Sequence, residues 1–459
     1  MNNMKIIKNK KLLLFLFVIL LSIGLVSCKE EVIVPIDELP AVNTTLYRTD
    51  VLTGVEEVIL DELELGFNFF WETANSNLES SGYGLIPDRY NTYTNTAGSV
   101  ASTASVGFGL TAIPIGIENN WITREQGEER AYYTMVTLQN MSRTHGFWYH
   151  FIDMQTGARV WSSEVSIIDT ALLINGVLTA GRYFGGRVEQ LAYELYEAIE
   201  WSWYFDYEAN KFYMGYKPET GFEGYWGGYA EQLMVFVLAA GSPDHSVGKG
   251  AYQLMKLSST KVSSGLDYGS FYPTWTGSLF THQYSHAWID FESYNDEQGY
   301  NWFTNSVNAV DAAIAYAKSQ TSQYIGINEN SWGMSACDGP SGYVGNYGSG
   351  PSAGNAHFVD GTVPAYGALG SIVFRPEEAI AAALNYRTYE RFWSVYGFKD
   401  AYNLSNSANG WFGNDIIGLD KGISVVMIEN YLSGMVWKIY MEVPYIQDGL
   451  ESLDFVAVE

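Results

Sequence analysis

Three carboxylates stand in segments where a charge is expensive. Asp169 interrupts Ile167-Ile168-Asp169-Thr170-Ala171-Leu172-Leu173, with Glu164 just upstream. Glu231 interrupts Tyr229-Ala230-Glu231-Gln232-Leu233-Met234-Val235-Phe236, and Glu429 interrupts Val425-Val426-Met427-Ile428-Glu429-Asn430-Tyr431-Leu432, with Asp420 in the turn before it. An unpaired buried carboxylate costs several kcal/mol or is driven towards its neutral form. Capping and helix-dipole pairing, at about 0.3–2 kcal/mol each, account for any one of them alone. Carboxylates from separate buried helices that meet in one pocket are instead what glycoside hydrolysis needs: a protonated acid for the leaving oxygen and an ionised group opposite it.

Other combinations support different chemistry less well. His282, His286 and Asp290 lie at i, i+4 and i+8 and would share a face of a helix, as metal ligands or as a hydrogen-bonded pocket wall. The pocket wall is the reading adopted, because no His-Glu-x-x-His or paired-Cys motif supports zinc; no metal and no cofactor is expected. No Gly-x-Ser-x-Gly elbow occurs at a strand–helix junction, and the Gly-rich runs lack the Lys-Ser/Thr of a phosphate loop. Trp226, Trp288, Trp332 and Trp411 each sit beside Gly, Asp or Asn and are candidates to line a sugar-binding pocket.

The elements that must position these groups are mostly helical. Ile167–Leu178, Leu233–Ala240 and Ile423–Leu432 are apolar on nearly every face yet too short to cross a membrane, so each must be buried all round. Val188–Ile199, Leu60–Trp71, Trp302–Ala317 and Glu377–Trp393 are amphipathic and half exposed. Both kinds together, about a dozen segments without a fixed sequence period, predict an all-α toroid of helical hairpins with an inner and an outer ring. Strand-like runs are few. The Gly-rich stretch Gly339–Gly354 carries aromatics and reads as a binding loop rather than a domain boundary.

Composition narrows the partner. The 459 residues carry 25 Lys and Arg against 51 Asp and Glu, a net charge of −26, which argues against nucleic acid. Apolar residues at 47% and charged ones at 17% mark a globular chain, and aromatics at 15% suit a groove that stacks on flat uncharged ligands. Residues 1–27 combine Lys5, Lys8, Lys10 and Lys11 with an apolar run from Leu12 to Val26, the layout of a secretory signal. Leu25-Val26-Ser27-Cys28 resembles a bacterial lipobox in which Cys28 is lipidated. Residues 28–55 then read as a tether and 56–459 as one catalytic domain. A lipoprotein of the outer membrane is expected, on its periplasmic or its cell-surface face. With Cys28 lipidated, Cys337 has no intramolecular partner.

Several blocks in fixed order resemble the glycoamylase-like family: Ser163-Glu164-Val165-Ser166-Ile167-Ile168-Asp169-Thr170-Ala171, Glu231 with Leu238-Ala239-Ala240-Gly241-Ser242-Pro243, Tyr284-Ser285-His286-Ala287-Trp288-Ile289-Asp290-Phe291, Asp360-Gly361-Thr362 with Ala368-Leu369-Gly370-Ser371, and Val426-Met427-Ile428-Glu429-Asn430-Tyr431. The resemblance spans most of residues 58–442. It implies an (α/α)6 toroid and inverting, metal-free hydrolysis of a neutral glucan, with β-1,2-glucan or its oligosaccharides as the foremost substrate, acting as a monomer. By position it makes Glu231 the general acid and Asp420 the water-side carboxylate, with Asp169 competing, and Glu164 and Glu429 neighbours that tune pKa or hold sugar hydroxyls. Cys337 departs from the expected pattern, and no basic sugar clamp is evident near Arg387 and Arg391. Two alternatives remain: a glycan-binding lipoprotein of an uptake system, and an α/α polysaccharide lyase, for which so acidic a chain is poorly equipped because a uronate carboxylate needs cations.

Overall fold

The computed structural model describes residues 47–48 and 54–458. The signal segment 1–27, Cys28 and nearly all of the tether 28–55 lie outside the described residues. Within them, no helix is long and apolar enough to cross a membrane.

Helices dominate, and two kinds alternate along the chain. α1 (Glu57–Thr73), α3 (Arg124–Asn140) and α5 (Gly186–Glu197) each bury one stripe. Between them, α2 (Thr103–Glu118) and α4 (Ile167–Phe184) bury almost every residue. The order continues with the fully buried α6 (Leu233–Ala240), then α7 (Gly250–Leu257) and α8 (Trp302–Gln320), the short buried α9 (Ala365–Leu369), and α10 (Pro376–Arg387). The buried α11 (Gly418–Ser433) follows, with α12 (Met435–Tyr440) and α13 (Pro444–Ser452) closing the chain. α2 packs against α4 through facing glycines: a Cβ at Gly107 would strike the Leu172 carbonyl, and one at Gly176 the Gly107 carbonyl. Larger residues there would push the two buried helices apart.

The segment His282–Asp290 is not one helix. It forms two single-turn 3-10 pieces, Leu279–His282 and Tyr284–Ala287, followed by a third at Phe291–Ser293, so His282, His286 and Asp290 do not share a helical face. The amphipathic run predicted to reach Trp393 ends at Arg387, and Trp393 begins a two-residue strand.

Short antiparallel ladders, unrecognised in the sequence, clamp the starts of the buried helices. Val100–Ser102 leads into α2 and pairs with Phe151–Asp153; Val165–Ser166 leads into α4 and pairs with the hairpin strand Lys211–Lys217. Thr362–Pro364 leads into α9 and pairs with Ala401–Asn403, and Asp415–Ile417 leads into α11 and pairs with Arg89–Asn91. Apart from Lys211–Lys217, two or three residues per strand leave no period to read. Their role is positional: backbone bonds such as Thr103 N–H to His150 O at 3.0 Å and Gly418 N–H to Asp88 O at 2.8 Å tie helix starts to neighbouring segments.

Candidate active site

The acids stand where those strands turn into buried helices. Asp169 is the third residue of α4 and Asp420 the third of α11, while Glu231 sits in the turn two residues before α6 rather than inside it. A helix start is favourable for an ionised carboxylate, and each position lets a buried helix aim one acid outward from its end.

Three groups form around these starts. In the first, Ser166 caps α4 by accepting from Asp169 N–H at 3.1 Å and donates its hydroxyl to Asp169 Oδ2 at 2.5 Å. His150 Nδ1 meets Glu164 Oε1 at 2.9 Å, and its Nε2 lies 3.6 Å from Asp169 Oδ1. Burial pulls the imidazole pKa down, but the charges of Asp169, Glu164 and Asp88 outweigh it and hold the ring protonated to about 9. The hydrogen bond from His150 in turn drops Glu164 to about 2 against the opposing effect of burial. His150, Glu164 and Asp169 bring one ligand atom each within 4.8 Å of one another, a spacing a cation could use. Both ring nitrogens face carboxylates, so the three side chains form a hydrogen-bonded triad.

In the second group, Arg89 reaches Asp415 Oδ2 at 3.0 Å, Asp338 Oδ2 at 3.1 Å and Asp88 Oδ2 at 3.4 Å. Beside it, Asp400 accepts from the Asp338 N–H at 2.7 Å. Asp400 and Asp420 are each 5% exposed, and Asp400 Oδ1 and Asp420 Oδ2 find no donor among the described residues. Their carboxyls face each other at hydrogen-bonding range, lining a void of about 10 Å³. Two acceptors in that position are satisfied only by a proton between them. Burial, then the Asp338 charge, raises Asp400 to about 7; burial, then the charge and hydrogen bond of Asp400, raise Asp420 well above its ordinary value.

The third group is Glu231. Burial raises its pKa to about 7, and the charge of Asp169 adds to the shift. No cation pairs with its side chain among the described residues. Tyr284 stands among the three groups: beyond burial, the charges of Asp420, Glu231 and Asp169 all raise its phenol. Tyr343, on the hairpin Cys337–Gly339/Gly342–Val344, is 54% exposed and feels Asp420, Asp400 and Asp88. The Gly-rich stretch thus delivers an aromatic hydroxyl to the acids, in line with its reading as a binding loop.

Several predicted residues lie elsewhere. Glu429 is fully buried farther along α11, 3.2 Å from Arg48 and 2.6 Å from Ser433 Oγ, beside Asn119 and Glu118 at the end of α2. It is a partnered structural acid, not a sugar contact. His286 is buried with Nε2 2.9 Å from Ser306 Oγ and its ring edge-on to Phe291 and Phe374; burial lowers its pKa to about 3. Asp290 caps a 3-10 turn, accepting from Ser293 Oγ at 2.6 Å. Trp288 is fully buried and donates to Thr111 Oγ1 at 2.9 Å, and Trp332 is fully buried against Tyr386. Trp226 is buried on the segment leading to Glu231, its indole N–H without an acceptor among the described residues, and Trp411 is half-buried on the strand Trp411–Phe412. A surface concavity of about 590 Å³ lined by Leu78, Tyr83, Tyr133 and Met141 contains no acid or histidine and shares no residue with the three groups.

His150, Asp400, Asp88, Arg89 and Tyr343 escaped the sequence reading. Asp400 left a usable signal, a lone acid in Gly397-Phe398-Lys399-Asp400-Ala401-Tyr402. His150 left none, because its partners lie 14 and 19 positions away across a strand pair.

Residues 223–444 match the family model Glycoamylase, described as putative glucoamylase. Along 445 residues it is 28% identical to the exo β-1,2-glucooligosaccharide sophorohydrolase (non-reducing end) of Parabacteroides distasonis, covering 87% of this chain and 58% of that protein. The chain therefore spans less than two thirds of that relative. Its structure is similar to an endo-β-1,2-glucanase from Chitinophaga pinensis solved with sophorotriose and glucose, with a TM-score of 0.77 and 27% identity over 87% of this chain and 98% of the other. It is equally similar to a putative glucoamylase from Bacteroides caccae, with a TM-score of 0.78 and 26% identity over 87% and 99%.

Proposed function

We propose that the protein is a glycoside hydrolase that cleaves β-1,2-glucan or its oligosaccharides with inversion of the anomeric carbon. The observation that carries this is the gathering of Glu231, Asp169 and Asp420, with Asp400 beside Asp420, around Tyr284. Glu231, raised to about 7 and free of cations, is the group that holds a proton at neutral pH and gives it to the departing glycosidic oxygen. The Asp400–Asp420 pair takes the proton of the attacking water on its ionised member; Asp420 is the member nearer Tyr284, and Tyr343 feels both. Asp169 is already engaged by Ser166 and His150 and suits binding of sugar hydroxyls better than proton abstraction. Glu164 and His150 extend that polar wall.

The alternation of fully buried and amphipathic helices, with the acids at the starts of the buried ones, supports the (α/α)6 toroid reading. The names borne by relatives at 26–28% identity favour the β-1,2 linkage. The lipobox-like Leu25-Val26-Ser27-Cys28 supports anchorage to the outer membrane through Cys28.

The test is product analysis by NMR on protein beginning after Cys28, with β-1,2-glucan, β-1,3-glucan and starch in parallel. Release of α-anomeric products from β-1,2-glucan alone is the expected result. β-Anomeric products would contradict inversion, and no cleavage of any glucan would remove the hydrolase reading.

A further inference from the structure

Trp161 is 70% exposed, an unusual setting for the largest apolar side chain, and its backbone is held where side-chain-bearing residues seldom go. Trp161 and Ser162 both have left-handed backbones, with φ of 55° and 51°. Strain of this kind persists only where surrounding structure enforces it, and here the enforcement is visible. Ser163 Oγ donates to Phe151 O at 3.1 Å, Ser163 N–H closes on Val160 O at 3.0 Å, and Val160 N–H reaches Phe151 O at 3.1 Å. Arg159 donates to Ser163 O at 2.6 Å and forms a two-pronged pair with Glu219 on the neighbouring hairpin, at 2.6 and 3.0 Å.

The turn thus fixes an indole in water, three residues before Glu164. The ring meets Phe151 edge-on at 5.3 Å, and Phe151 stacks on His150 at 3.8 Å, so Trp161 is two ring contacts from the His150–Glu164–Asp169 triad. A flat apolar face beside a group of carboxylates fits a neutral pyranose, which presents C–H bonds to the ring and hydroxyls to the acids.

We propose that Trp161 is a stacking platform for one glucosyl ring of the bound chain, outside the acid cluster, and so sets the preference for longer oligosaccharides; this rests on the glucan reading above. The experiment measures binding of short and long β-1,2-glucooligosaccharides by calorimetry to Glu231→Gln protein, with and without Trp161→Ala or Trp161→Phe added. Removing the indole is expected to weaken binding of long chains roughly tenfold, equivalent to about 1.4 kcal/mol, with little change for the disaccharide and most of the loss restored by Phe. Equal affinity of the Trp161→Ala protein for long chains overturns the platform while leaving the substrate reading intact. Failure of the Glu231→Gln protein itself to bind any length overturns both. Thermal unfolding of each variant within a few degrees of the parent confirms that folding is not the cause.

Discussion

Asp420 and Glu429 share one helix, nine residues or roughly 13 Å apart, and their carboxyls occupy opposite chemical settings. Glu429, deep along α11, is met by the Arg48 guanidinium and the Ser433 hydroxyl, although its Oε2 accepts no hydrogen bond among the described residues and burial, opposed by the Arg48 charge, still raises its pKa to about 7. Asp420, at the helix start, meets another acid, and one oxygen of each is left without a donor among the described residues. The same contrast separates Glu62, buried against Lys421, from Glu231, half-buried in the turn before α6 and paired with no cation among the described residues. Burial of an acid therefore does not mark chemistry by itself. What marks it is an acid that no counter-charge meets, since folding alone would favour removing such a group.

Breaking the unmet side of this comparison should cost rate rather than stability. Replacing Glu231 by Gln removes the proton donor and should lower kcat/KM by roughly 10³-fold, within the range of general acid catalysis, measured as reducing ends released from β-1,2-glucan. The same group predicts pH dependence. Glu231 must be protonated to act, so the rate of the unsubstituted protein should fall about tenfold per pH unit above pH about 7.

Asp400→Asn sharpens the role of the pair. It replaces a repelling carboxyl with an amide that can donate to Asp420, so Asp420 ionises more readily and the rising acid limb of the pH–rate profile should move to lower pH. The weaker base should also lower kcat by roughly tenfold. An unmoved acid limb would remove Asp400 from the pair's function. On the satisfied side, Asp290→Ala removes only a cap and should cost about 1 kcal/mol in urea unfolding, with KM unchanged.

The buried helices were legible because apolar residues on every face leave one place for them, and Ile167–Leu178, Leu233–Ala240 and Ile423–Leu432 all lie within or on α4, α6 and α11. Their lone acids were legible for the same reason. What was not legible was satisfaction. Nothing near Glu429 in sequence announces Arg48, 381 positions earlier, and nothing near Asp420 announces Asp400 across a strand pair. The His282–Asp290 spacing looked helical, but the chain there is broken into 3-10 turns whose histidines are sunk among aromatic rings. Trp288 and Trp332 looked like pocket residues by their neighbours and are core by their packing. Short ladders of two or three residues, which aim the acids, depend on partners far along the chain and carry no local pattern.

The most direct test sets Asp420→Asn and Glu429→Gln side by side, reading kcat/KM on β-1,2-glucan and the free energy of urea unfolding on the same preparations. Asp420→Asn is predicted to lose roughly 10³-fold in rate while unfolding at the same or higher urea, because its amide can donate to Asp400. Glu429→Gln is predicted to keep its rate within roughly threefold and to lose about 3 kcal/mol of stability as Arg48 is left without its counter-charge. The reverse pattern, an active Asp420→Asn protein and a stable but inactive Glu429→Gln protein, would contradict the assignment of chemistry to the unmet acids.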